Sequence, residues 1–234
     1  MKFFKLDKSE CKTTTMTSIP QTIIRFPEIK LRTRDAHKLR GYFGNLFQER
    51  SELLHNHMGN GKFRYAYPQV QYKVIEQTPT LVGIKEGAEL LRELFLKIKQ
   101  LDIGGKKYPV RQKNIEGKSK EIGITDASNT YRFQTLWMAL NQKNHEQYQQ
   151  VEELERQHQL ERILIGNMLA FFKGMDHFVE EQIHVKGTYR EKATRFKNKR
   201  MLAFEGMFTT NLQLPGYIGL GKAVSRGFGT IVRA

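Results

Sequence analysis

Two stretches of this chain hold residue types that could do chemistry. The first is ELLHNHMGNGKFRY, residues 52–65, in which His55, His57 and Lys62 stand close together. An imidazole with an unperturbed pKa of about 6.5 can take or give a proton near neutrality, and a neighbouring ammonium group can offset developing negative charge. The two histidines could instead ligate a metal, but no cysteine stands near them to complete a set, and no metal is expected. The second stretch is GYIGLGKAVSRGFG, residues 216–229, with five glycines and, among them, Lys222, Ser225, Arg226 and Phe228. Its first eight residues nearly follow the phosphate-loop pattern G-x-x-x-x-G-K-[ST]. Ala223 breaks that pattern where a hydroxyl should hold magnesium, and the residues that follow are too few for the helix that would receive the phosphates. The dinucleotide pattern G-x-G-x-x-G fails as well, at Val224. What survives is a backbone that a polyanion can approach closely, with Lys222 and Arg226 placed to neutralise it.

The charge balance agrees. The 234 residues carry 39 Lys and Arg against 24 Asp and Glu, a net charge of +15. From His184 onward there are ten basic residues against only Glu191 and Glu205, so the excess is concentrated toward that end. Nucleic acid is the partner such a distribution suggests. The run YREKATRFKNKR, residues 189–200, reads as a basic hairpin in which Arg195, Lys197, Lys199 and Arg200 could follow a phosphate backbone. The single cysteine, Cys11, excludes an intrachain disulfide, and no apolar run has the length of a membrane span. A cytoplasmic protein without membrane contact is the expectation.

The elements that must position these residues follow from hydrophobic periodicity. Residues 1–16 read as a flexible leader. TSIPQTIIRFPEIKLR (17–32) reads as a strand interrupted by proline, and 34–54 as a helix with Asp35 at its N-cap. HNHMGNG (55–61) reads as a loop, 62–75 and 78–86 as strands, 86–101 as a helix and 103–124 as strand material with turns. That order, β-α-β-β-α-β, is ferredoxin-like, with helices on one face of the sheet and the other face left open for a ligand. The pattern restarts near residue 129: a strand over 129–140, a long helix over 144–173, strands over 183–191 and 199–214, the glycine stretch, and a last strand in FGTIVR. The fold class expected is α+β, two tandem ferredoxin-like modules over 17–128 and 129–234. The second is degenerate, with a glycine-rich loop before its last strand.

LGKAVSRGFG, a glycine-rich loop preceding a last strand in a basic chain of paired modules, resembles the C-terminal signature of the CRISPR-associated repeat-RNA processing endoribonucleases. They belong to a wider superfamily of repeat-associated RNA-binding proteins. The resemblance implies CRISPR repeat RNA as partner, no cofactor, and contacts to RNA through Gly219, Gly221, Lys222, Ser225, Arg226, Gly227, Phe228 and Gly229. It also implies a general acid/base histidine just after the first helix, which falls on His55, and an assisting lysine, which falls near Lys62. His57 is a close rival. The family's helix tyrosine falls near Gly44, and Tyr42, two residues earlier, is the tyrosine that could support catalysis. His37, at the opening of the first helix beside Arg34, Lys38 and Arg40, could bind RNA or act in catalysis.

RNA supplies its own nucleophile for this chemistry, the 2′-hydroxyl beside each phosphate. A histidine can deprotonate that hydroxyl or protonate the leaving 5′-oxygen, and a lysine can stabilise the crowded phosphate, with no metal required. The expected activity is cleavage of CRISPR precursor RNA within repeats, giving 2′,3′-cyclic phosphate and 5′-hydroxyl ends. The alternative is a non-catalytic RNA-binding subunit of a CRISPR effector complex. Both monomer and homodimer are compatible with the sequence.

Overall fold

The computed structural model describes residues 16–46, 67–196 and 199–234. In TSIPQTIIR the β-branched residues form β1 (Thr17–Arg25), which ends where Pro27 turns the chain. Pro20 is tolerated inside this central strand because the β1–β3 ladder begins only at Gln21, so its missing N–H costs no bond. A 3-10 turn (Thr33–Asp35) leads into α1 (Ala36–Leu46), which buries Ala36, Leu39 and Phe43. Strands β2 (Val70–Ile75) and β3 (Thr78–Ile84) form a hairpin, and α2 (Glu86–Phe95) buries Leu90, Leu91 and Leu94. These helices close over Ile24, Tyr72, Val74 and Leu81 to make the first core.

The helix expected over 86–101 stops at Phe95. Leu96 faces solvent, and the chain turns into the small hairpin of β4 (Gln100–Ile103) and β5 (Lys106–Pro109). Lys113 satisfies the carbonyls freed there, its ammonium donating to Phe95 O and Ile98 O.

Strand β6 (Asn114–Phe133) joins the two halves. Its first part pairs with β1, from Thr17 opposite Ile122 to Arg25 opposite Asn114. Its second part pairs with β8 and, at the far end, with β9. Residue 128, the expected boundary, lies within this strand, so one element serves as the last strand of the first module and the first of the second. The expected strand over 129–140 ends as β6 at Phe133; the chain then bulges away and returns at Trp137, whose backbone exchanges two hydrogen bonds with Phe204 and whose buried indole stacks on Phe133 at 5.1 Å.

The expected long helix is two, α3 (Gln142–Gln150) and α4 (Glu153–Gly174), separated by extended backbone at Val151 and Glu152. The freed Val151 carbonyl accepts Arg156 Nε at 3.0 Å. The break lets Tyr148 pack edge-on against Phe204 while its hydroxyl donates to Glu191 at 2.8 Å. Strands β7 (Val185–Phe196) and β8 (Lys199–Gln213) form a long ribbon, and β9 (Ile231–Arg233) closes the chain. The sheet runs β2-β3-β1-β6-β8-β7, with β9 also on β6. Each module thus has the strand order of a ferredoxin-like fold, in an α+β molecule with an antiparallel sheet.

One expectation is overturned. The face of the first module's sheet opposite its helices is not open, because the glycine stretch lies across it. Gln71, fully buried on β2, accepts Gly219 N at 3.0 Å, Tyr67 donates to Gly219 O at 2.6 Å, and Gln21 Nε2 donates to Gly216 O at 2.8 Å. Strand alternation does put Gln21, Gln71 and Lys73 on the non-helical face, but the second module covers it.

Lys73 shows the cost. It is 0% exposed, its Nζ donates to Thr230 Oγ1 at 2.9 Å, and no carboxylate within ion-pair range answers it among the described residues. Burial pushes its pKa down to about 7 from 10.5. The unfolded chain therefore binds more protons than the folded one between those values, and stability rises with pH across that window. The unfolding free energy of the wild type should climb relative to that of Lys73→Met between about pH 7 and about pH 10.5, by on the order of 4 kcal/mol in denaturant titrations. A difference constant with pH would show that the amine is not desolvated.

The β2–β3 turn carries a second, local cost. Glu76 and Gln77 sit at φ of 49° and 63°, the mirror-image hairpin turn that favours Asn-Gly. Gln77 is exposed, and only its backbone carbonyl is used, by Leu31 N. Gln77→Gly should stabilise the fold by about 0.5–1 kcal/mol, read as a higher thermal midpoint.

Candidate functional site

Four glycines of the 216–229 stretch, Gly219, Gly221, Gly227 and Gly229, serve close approach. Gly229, at φ +63, lies where a Cβ would run into the Leu220 carbonyl. Gly227, at φ +88, would set a Cβ 3.1 Å from Tyr72 O and 3.2 Å from the Ala36 Cβ, so only glycine lets the loop lie this near to β2 and α1. Gly219, Gly227 and Gly229 are buried; Gly221, Ser225, Arg226 and Phe228 are half-buried, and Lys222 is exposed. Phosphate contact from this loop thus falls to its side chains and to whichever amides face outward, rather than to the glycines as a bare surface.

The side chains meet at a cleft of about 520 Å³ between the modules. Thr33, Arg34 and His37 come from the start of α1, Thr135 and Leu136 from the segment after β6, Thr194 and Arg195 from the ribbon, and Arg226, Gly227 and Phe228 from the loop. No acid lines it among the described residues. Arg40, one turn beyond His37, lies close enough to Arg226 that the two guanidiniums repel; burial first and then this repulsion lower its pKa. A phosphodiester entering here would meet Arg34, Arg195 and Arg226, and Phe228 offers a ring on which a base could stack.

His37 Nδ1 lies 2.6 Å from Arg34 O. A carbonyl can only accept, so the proton is on Nδ1, and Nε2 is the nitrogen able to take one up. Tyr42 lies on a different side of α1. Its hydroxyl donates to Gln100 O at 2.8 Å, beside the β4–β5 hairpin, so the structure separates it from His37 and the loop. His55, His57, Lys62 and Lys197 lie outside the described residues. The described chain leaves α1 at Leu46 and resumes at Tyr67, whose hydroxyl bonds the loop.

The ribbon adds a second basic surface. β8 pairs with β6 over Met207–Gln213, whereas it pairs with β7 over Lys199–Thr210. The outer half of the ribbon therefore projects beyond the sheet, carrying Lys192, Arg195, Lys199 and Arg200, all exposed. Arg195 and Arg200 stand directly opposite in register, an unfavourable like-charge pair unless an anion lies between them.

Sequence reasoning singled out the loop and the basic hairpin but missed Thr135 and Thr194 as cleft residues and Tyr67, Gln71 and Lys73 as the loop's supports. Only the polar residues at alternate β2 positions hinted at the latter.

Comparison with known proteins agrees with this architecture. The Cas6b N-terminal domain model matches residues 17–121, and the Cas6b C-terminal domain model matches residues 123–234. A solved structure titled as Cas6b is 38% identical, covers 93% of this chain and 100% of its own, and superposes with a TM-score of 0.89. Another, titled as the CRISPR RNA processing endoribonuclease Cas6b, is 34% identical over the same shares, with a TM-score of 0.77. An uncharacterised protein of Methanocaldococcus jannaschii is 34% identical over 142 residues, 60% of this chain and 97% of that relative. With both of its modules matched and relatives aligned along their full lengths, this chain belongs to the Cas6b family.

Proposed function

We propose that the chain is a metal-independent endoribonuclease that cleaves CRISPR precursor RNA within each repeat. The observation that carries the reading is its 34% identity to a solved CRISPR RNA processing endoribonuclease along that protein's whole chain. The cleft between the modules, which no acid lines among the described residues, supports it, since a phosphodiester is the ligand its arginines and Phe228 suit. In this scheme the 2′-oxygen attacks the adjacent phosphorus as its proton is removed. The bond to the 5′-oxygen breaks, and that oxygen takes up a proton. The products are a 2′,3′-cyclic phosphate and a 5′-hydroxyl. His55 serves as the general acid or base and Lys62 offsets charge on the phosphate; His57 is the first alternative, and His37, with Nε2 ready to accept a proton, the second. Tyr42, its hydroxyl already bonded to Gln100, carries no step. The loop residues Lys222, Ser225, Arg226 and Phe228, and the ribbon residues Arg195, Lys197, Lys199 and Arg200, bind RNA.

His55→Ala should abolish cleavage of repeat RNA while leaving its affinity within about threefold of wild type, with cutting by the wild type persisting in excess chelator. A substrate with a single 2′-deoxy sugar at the scissile position should bind and remain whole. Wild-type cleavage rates in His55→Ala would remove it from the site and bring His57 forward. A wild-type protein that shifts repeat RNA without ever shortening it would sink the enzymatic reading altogether.

The ribbon assignment has its own test. Replacing Arg195 and Arg200 together by Ala should weaken binding and lower the slope of log K against log salt by about 0.7–0.9 for each phosphate no longer neutralised. An unchanged slope would put the RNA elsewhere.

A further inference from the structure

A chain of hydrogen bonds crosses from the first module to the glycine loop. The Lys73 amine on β2 donates to Thr230 Oγ1 at 2.9 Å, and the Thr230 hydroxyl donates to Gly227 O at 3.2 Å. The same carbonyl accepts the Thr135 hydroxyl at 2.6 Å, and Thr135 Oγ1 accepts Thr230 N at 2.9 Å. Each donor has one acceptor, and the chain converges on the Gly227 carbonyl. Arg226 and Phe228, the neighbours of Gly227, both line the cleft.

A methionine would fill the Lys73 site without the desolvation an amine suffers, so packing alone gives no reason for lysine there. What only a donor of this reach can do is hold Thr230 so that its hydroxyl stays aimed at Gly227. Thr135 holds the same carbonyl from within the second module and takes the Thr230 amide, so Thr230 is the residue through which Lys73 reaches the loop.

We infer that Lys73 is a positioning residue for RNA binding: from the opposite module it holds, through Thr230, the Gly227 peptide that presents Arg226 and Phe228 to the cleft. The inference rests on the reading that the loop contacts repeat RNA.

The test measures equilibrium affinity for a fluorescently labelled repeat RNA, and the thermal midpoint, in single and double variants of the full chain. Lys73→Met and Thr230→Val should each weaken binding about tenfold, the worth of one buried hydrogen bond, and the double variant should be no weaker than either. Thr230→Ser, which keeps the hydroxyl, should bind as the wild type does. The thermal midpoint of Lys73→Met should stay level or rise, so affinity and stability move in opposite directions. Arg226→Ala reports on the loop itself. If Arg226→Ala weakens binding and Lys73→Met does not, Lys73 positions nothing and the inference is overturned. A Lys73→Met variant that loses affinity only in step with its thermal midpoint would overturn it equally, by making the residue merely structural. Full affinity in Arg226→Ala would remove the loop from the RNA site, which is the failure of the underlying reading and not of the hydrogen-bond chain.

Discussion

The molecule depends on the packing of the glycine stretch against the non-helical face of the first module's sheet. Gln21, Tyr67, Gln71 and Lys73 each bond the loop or the strand that follows it. Buried side-chain amides and an amine are costly to leave unanswered, so this packing has one register in which all four are satisfied. That register fixes where Arg226 and Phe228 stand relative to His37, and so creates the cleft. Glycine lets Gly227 lie against β2 and α1, while at Gly219, Gly221 and Gly229 a Cβ would collide with the loop itself or with Trp137.

Sharing β6 between the modules makes the same point in the backbone. One strand of twenty residues gives its first part to β1 and its second to β8 and β9. Two modules joined by a linker could rotate about it, but two modules joined by a continuous strand have their relative orientation limited by the ladder on either side. The positive charge of the chain is thereby gathered rather than scattered: the start of α1, the loop and the ribbon all contribute residues to one cleft. The like-charged neighbours this produces, Arg40 with Arg226 and Arg195 with Arg200, are unfavourable by themselves and become favourable with a polyanion.

The sequence rendered the local elements well where periodicity was strong. Helix α1, helix α2, the β2–β3 hairpin and the β7–β8 ribbon all stand near their expected positions. It misjudged places where a tertiary contact overrides a local pattern. Ile98 and Leu101 continue a helical period, but the chain turns after Phe95 and Leu101 is buried in the first core from a strand of the β4–β5 hairpin. The polar half of the long helix breaks at Val151, which carries Tyr148 onto Phe204. The end of β6 reads as a strand through residue 140 because Leu136, Trp137 and Met138 are apolar, yet the pairing stops at Phe133 and returns only as a single bridge between Trp137 and Phe204.

By itself, then, the sequence determined the α+β class, the paired modules, the polyanionic partner implied by a charge of +15, and the exclusion of a nucleotide loop by Ala223 and Val224. Those properties follow from composition, period and covalent order, which a linear reading can see. Only the tertiary structure decided that the expected open face is covered, that Lys73 is buried under Thr230, and that His37 shares a cleft with Arg226 while Tyr42 does not. Each of these depends on which surfaces meet between segments far apart in the chain. Strand alternation tells which side chains share a face, but what lies against that face is set by the register of a different module.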